Sequence, residues 1–199
     1  MKIVLLFLSI SFIVLWYIST YYRCPAYLAW IIELENPFAR QNRSDQIIDH
    51  IEFKDHMRII DIGCGPGRVT IPLAKRLGNK GMVVALDAQS EMLKKVEDKA
   101  DKISNIQYLQ GTIGSGLLRR QEYDYALLIN VLGEISNQKV ALQEIYHSLK
   151  PGAQLLITET IFDPHYQRQA KVKKLAFDTG FTHVATFGSW HSYTMKFMA

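Results

Sequence analysis

Cysteine is scarce in this chain, with two in 199 residues, Cys24 and Cys64, and neither has a CxxC partner. A disulfide framework and a structural zinc site both need more thiols than that, so the pattern points to a reducing compartment and to no metal. The six histidines show no ligand spacing. Charge of one sign is also in short supply. Lys and Arg number 23 against 19 Asp and Glu, a net charge of +4, too mild to argue for a nucleic-acid partner. The basic clusters at 117–120 and 171–174 read as solvated faces. There is no internal repeat and no low-complexity tract, and with 48% hydrophobic residues the chain can hold one domain with a full core.

What is present begins with residues 3–22, which carry no charge between Lys2 and Arg23. Twenty helical residues span about 30 Å, the thickness of a bilayer core, and Trp16, Tyr17, Tyr21 and Tyr22 cluster at one end as an interfacial belt would. The expectation is an uncleaved transmembrane anchor over 1–24, then a juxtamembrane segment over 25–43 that follows the helix-breaking Pro25. Arg23, Arg40 and Arg43 lie after the span, which places the remaining domain, 44–199, on the cytoplasmic side of a membrane.

From residue 38 onward, short apolar runs alternate with amphipathic stretches, the mark of an α/β fold. Strands are expected at 57–62, 82–87, 106–110, 123–130 and 153–160. Helices are expected between them, with Ser44 and Ser90 as N-caps. The connection at 111–121, "GTIGSGLLRRQ", shows no helical pattern. After a basic helix around 165–179 come "FTHVATFGSW" and "HSYTMKFMA", two strand-like runs with almost nothing between them. That spacing demands an antiparallel hairpin, because parallel strands need a long crossover.

The stretch "DIGCGPGRVT" (61–70) follows the first strand and opens a helix. A Walker A loop would end in Gly-Lys-Ser/Thr, which is missing here. The dinucleotide pattern GxGxxG would need a glycine where Arg68 stands, so a nicotinamide oxidoreductase is disfavoured. Tyr146 and Lys150 have the YxxxK spacing of short-chain dehydrogenases, but Pro151–Gly152 end the helix that this dyad requires, and both read as structural.

Taken in order, "IIDIGCGPGRVT", "VVALD", "YDYALLINVLGEI" and "LKPGAQLLITE" resemble the motifs of class I S-adenosylmethionine-dependent methyltransferases, from about residue 40 to the C-terminus. The resemblance implies a Rossmann-like three-layer sandwich, with a mostly parallel seven-stranded sheet closed by the C-terminal hairpin. It implies S-adenosylmethionine as cofactor, with Gly63, Gly65 and Gly67 passing backbone beneath its amino acid half. Asp61 would organise the loop or orient the ammonium, and Asp87 would accept hydrogen bonds from the ribose hydroxyls. Where many relatives place an acidic residue near adenine, this chain has Gly111–Thr112–Ile113, so Thr112 and Ile113 are the adenine-side residues. Asn130, ending the fourth strand, would face the cleft.

The [ND]PPY arrangement of many amine methyltransferases is replaced by "NVLG", and no general base stands out among Glu134, Glu159, His165 and His191. Catalytic residues therefore stay unassigned. The expected activity is methyl transfer to a small-molecule or lipid-like acceptor by in-line displacement. The alternative is a membrane-tethered module that binds the cofactor without turnover.

Overall fold

Each apolar run becomes a strand and each amphipathic stretch a helix laid against it in the computed structural model, which describes residues 27, 29 and 33–199. A 3₁₀ turn at Arg40–Asn42 leads into α1 (Ser44–Asp49), β1 (Arg58–Ile62), α2 (Thr70–Leu77), β2 (Met82–Asp87), α3 (Ser90–Lys99) and β3 (Ile106–Gln110). Then come β4 (Tyr123–Ile129), a 3₁₀ turn at Leu132–Glu134, α4 (Gln138–Ser148), β5 (Leu149–Thr160), α5 (Gln169–Phe177), β6 (Thr182–Ser189) and β7 (Ser192–Met198).

The seven strands lie in the order β3-β2-β1-β4-β5-β7-β6. β1 to β5 are parallel, and β7 runs antiparallel to both β5 and β6. Only Trp190 and His191 separate β6 from β7, so the expected hairpin is present. The chain builds outward from β1 to β3, then returns to place β4 on the other side of β1. Between β1 and β4 the crossovers change sides, and in open α/β sheets ligands sit in the crevice at the carboxyl ends of such a pair.

Central strands are buried on both faces, as their unbroken apolar sequences require. Ile59 and Leu127 pack with Ile47 of α1 and with Leu73 and Leu77 of α2. Ile60 and Leu128 belong to the opposite layer, with Leu142 and Ile145 of α4 and with Val172 and Ala176 of α5. Each fully buried aliphatic side chain contributes about 1.5–3 kcal/mol, and these two layers hold the sheet rigid beneath its carboxyl edge.

Two helix starts differ from expectation. Ser44 and Ser90 are the first helical residues rather than caps, with Arg43 and Gln89 in the cap positions. Ser44 instead gives both its backbone N–H and its hydroxyl to Glu35. The capping side chain of α4 is Asn137, whose Oδ1 accepts from Val140 N at 3.2 Å. β5 also starts earlier than expected, because Leu149 pairs with Tyr123 before a register irregularity.

The unpatterned connection from 111 to 121 is ordered by a carboxylate. Backbone N–H groups of Gly114, Gly116 and Leu118 all point at Glu144 of α4, at 2.6, 3.0 and 2.8 Å. Successive inward-facing N–H groups form a nest that suits an anion, here one supplied by the chain itself.

The membrane expectation is corrected. The span over 3–22 lies outside the described residues, and among the described residues no helix is long and apolar enough to cross a membrane. The longest, α4, has 11 residues, about 16 Å of rise against a hydrocarbon core of about 30 Å. Single-pass membrane residence with a cytoplasm-facing domain therefore has no support in the structure.

Candidate cofactor and acceptor site

β1 ends at Ile62 and delivers the glycine loop to the switch point. Gly63, Gly65 and Gly67 all have positive φ, at 69°, 52° and 89°, a region that costs other residues about 1–2 kcal/mol. They serve different ends. A Cβ on Gly63 would lie 2.5 Å from Val131 Cγ2, and one on Gly67 would lie 3.1 Å from Val96. A Cβ on Gly65 would meet nothing within 4 Å. The outer two glycines let β4 and α3 close in, and the middle one leaves open space where a ligand can approach backbone.

The loop is fixed by two aspartates. Asp87, ending β2, accepts Gly65 N–H on one oxygen and Gln89 N–H on the other, both at 2.9 Å. It is 8% exposed, so the carboxylate is held rigid while part of it still faces out. Asp61 is buried beneath the loop and accepts the Thr70 hydroxyl at 2.6 Å, tying β1 to α2. Burial pushes its carboxyl up to about 6, with the Thr70 hydrogen bond pulling the other way. Cys64, also buried, has its thiol raised well above the usual range by the same desolvation, so it takes no part as a thiolate.

Past β3, Thr112 is exposed and Ile113 is buried among the residues of the α4 layer. Asn130 follows β4 in a left-handed conformation, with φ 56°. Its Nδ2 donates to Asn42 Oδ1 at 2.9 Å, while its own Oδ1 is buried without a partner. Asn42, beside the candidate site, is a residue that the sequence did not single out. Its Oδ1 also accepts from Arg68 Nη2 at 3.0 Å, and its carbonyl accepts from Arg68 Nη1. Arg68 occupies the position where a dinucleotide site has its third glycine, and that departure was the one available signal. The segment expected to be a linker thus joins the site: Ala39 is 1% exposed, and Gln41 accepts from Thr194 of β7.

The four candidate bases all lie at this carboxyl edge. Glu134 and His165 face each other across the cleft wall, 3.8 Å apart, where Gly133 lets the two loops touch. His191 stands in the β6–β7 turn, with Nδ1 2.8 Å from Ser189 Oγ. Glu159 is 1% exposed; its Oε2 accepts from Gln167 N–H at 2.9 Å and its Oε1 has no partner. Burial pushes its carboxyl up to about 8, opposed by the Gln167 N–H and reinforced by Asp163. It is therefore mostly protonated at neutral pH. Tyr146 and Lys150 are structural: Tyr146 packs edge-on to Phe181, and Lys150 pairs with Asp124 at 2.8 Å. They border a concavity at the opposite edge of the sheet, remote from this chemistry.

A left-handed glycine cradle at a switch point, with a carboxylate clamped to it from the neighbouring strand and no triphosphate motif, is the arrangement expected of a class I S-adenosylmethionine-dependent methyltransferase. Residues 53–193 match the model of the methyltransferase domain family, and the chain belongs to that family. It is similar to a demethylmenaquinone methyltransferase of Staphylococcus carnosus, 33% identical over 115 residues, which are 58% of this chain and 48% of that one. A ubiquinone/menaquinone biosynthesis C-methyltransferase of Vibrio vulnificus is 28% identical, over 54% of this chain and 44% of its own. The chain thus spans about half the length of the curated relatives it matches. Among solved structures, a SAM-dependent methyltransferase from Aquifex aeolicus superposes with a TM-score of 0.76 at 20% identity, covering 88% of this chain and 99% of that one. Its fold is the same.

Proposed function

We propose that the chain methylates a carbon of a small, quinone-like acceptor held over the carboxyl end of β4. The observation that carries the reading is the clamp between Gly65 and Asp87, which holds an open patch of backbone beside a rigid carboxylate. The names of the relatives support the acceptor class, and so does an apolar rim beyond β5.

When bound, the cofactor supplies an electrophilic methyl group on a sulfonium whose positive charge is lost on transfer. The chain's own part is largely positional. Asp87 receives the ribose diol, the glycine loop underlies the amino acid half with Asp61 bracing it, and Thr112 and Ile113 border the adenine end. Asn130 stands at the end of β4, between the proposed cofactor and acceptor positions, with its buried Oδ1 unpartnered. Alignment of this kind is worth about 7–11 kcal/mol in favourable systems, so an elaborate catalytic set is unnecessary. A ring carbon is nucleophilic in the reduced, hydroquinone form of such an acceptor, and it sheds one proton after the new bond forms. Glu134 and His165 are the groups placed to receive it. Residues 39–43 belong to the working domain in this reading.

The test is incubation with methyl-labelled S-adenosylmethionine and a reduced demethylated naphthoquinone, followed by extraction into organic solvent. Label on the ring carbon is the expected result. Asp87→Ala should weaken binding of the demethylated cofactor product by about tenfold or more, as loss of a charge-assisted hydrogen bond does. Cofactor binding without any labelled quinol would refute the acceptor class and leave the cofactor site standing.

A further inference from the structure

Three large apolar side chains stand exposed together at the acceptor end of the sheet: Trp190 at 69%, Phe162 at 54% and Ile161 at 42%. They come from two segments that the backbone locks side by side. Ile161 N–H donates to His191 O at 2.9 Å, Thr160 Oγ1 donates to the same carbonyl at 3.3 Å, and the Tyr166 hydroxyl donates to Trp190 O. The exposure is thus built in, with the hairpin tip and the chain after β5 tied into one ledge. The stretches 160–162 and 186–194 contain no Lys, Arg, Asp or Glu. A cluster of exposed apolar side chains in stretches without charge is the kind of surface that apolar ligands use.

We propose that Ile161, Phe162 and Trp190 form the seat for an extended, uncharged hydrocarbon tail on the acceptor, an isoprenoid chain by class. The proposal rests on the acceptor reading above. β5 and β7 lie between β4, where the reacting head is placed, and β6. A tail running from β4 to the hairpin crosses three strand spacings, about 14 Å, along one edge. The absence of cationic residues from the ledge argues against an anionic lipid surface as its occupant, since such surfaces attract Lys and Arg. It fits a neutral chain.

Two measurements on the full-length protein test this. In the first, quinols with tails of increasing length are compared with a tail-less quinol, in the parent and in Trp190→Ser and Phe162→Ser. The parent should prefer the tailed acceptors in kcat/KM, and each variant should lose that preference by about tenfold or more, through KM. Phe177→Ser, an exposed aromatic away from the ledge on α5, should keep it. In the second, a free isoprenoid alcohol is titrated while tryptophan fluorescence is followed, with Trp190→Phe used to subtract the other two tryptophans. A saturable blue shift that disappears in Phe162→Ser supports the seat. An unchanged spectrum overturns it, as does a Trp190 signal that tracks protein concentration through self-association, or one that responds only to vesicles. If no quinol is methylated at all, the acceptor reading falls, and the fluorescence titration still decides the ledge by itself.

Discussion

The two halves of the carboxyl edge are built on opposite terms. On the β1–β3 side the polar groups close on one another: both oxygens of Asp87 hold backbone N–H groups, and Asp61 holds the Thr70 hydroxyl. On the β4–β7 side they are left reaching. Asn130 Oδ1, Glu159 Oε1 and Ser192 Oγ are buried without partners, and aromatic side chains face outward. The difference fits the role proposed for each half. In the proposed reading a cofactor that never changes is met by a preorganised cradle, and acceptor recognition falls to side chains, which vary without disturbing the sheet.

The largest break in this contrast should come from Gly63→Ala, which forces a Cβ against Val131 in a left-handed conformation. Strain and overpacking together should cost about 2–4 kcal/mol in chemical denaturation, and cofactor-product binding should vanish in calorimetry. The damage should reach both halves, because Val131 follows β4. If Gly63→Ala melted and bound like the parent, the close approach of the halves would carry no weight.

Next in size is the pH response of the acceptor half. The Glu159 carboxyl has a folded value near 8 against an ordinary value of 4.5, so the folded state holds more protons between them. Its burial carries no ionisation penalty below the unfolded value. Stability is then lost as pH rises through about 4.5 to 8, by an amount on the order of a few kcal/mol. Glu159→Gln should flatten that part of the stability profile, and an unchanged profile would remove Glu159 as its source.

The smallest effect concerns the bridge between halves. Asn42→Ala removes the acceptor shared by Arg68 and Asn130 and should cost about 1–2 kcal/mol. A double-mutant cycle with Asn130→Ala should show a coupling above about 0.5 kcal/mol, and strict additivity would mean the bridge is idle.

The same contrast governs what could be read from sequence. The cofactor half was legible because it is backbone: three alternating glycines after an apolar strand and an aspartate ending the next strand recur at fixed spacing. The fold was legible for a similar reason, since apolar runs buried on both faces and a hairpin with a two-residue turn leave few other topologies. The helix starts at Ser44 and Ser90 were misplaced because Glu35 captured one serine and Asp87 fixed the backbone before the other at Gln89. The contact between Asn42 and Arg68 escaped notice because the two stand 26 positions apart, a separation that no local pattern encodes. The membrane expectation rested on apolar length, a terminal aromatic cluster and the arginines that follow, and its span lies outside the described residues.

The β3–β4 connection carries an anion of its own. Three main-chain donors there are already satisfied by the Glu144 side chain. A free anion drawn to that turn would have to evict the Glu144 carboxylate and leave its charge without those three donors, so the nest is closed to outside anions.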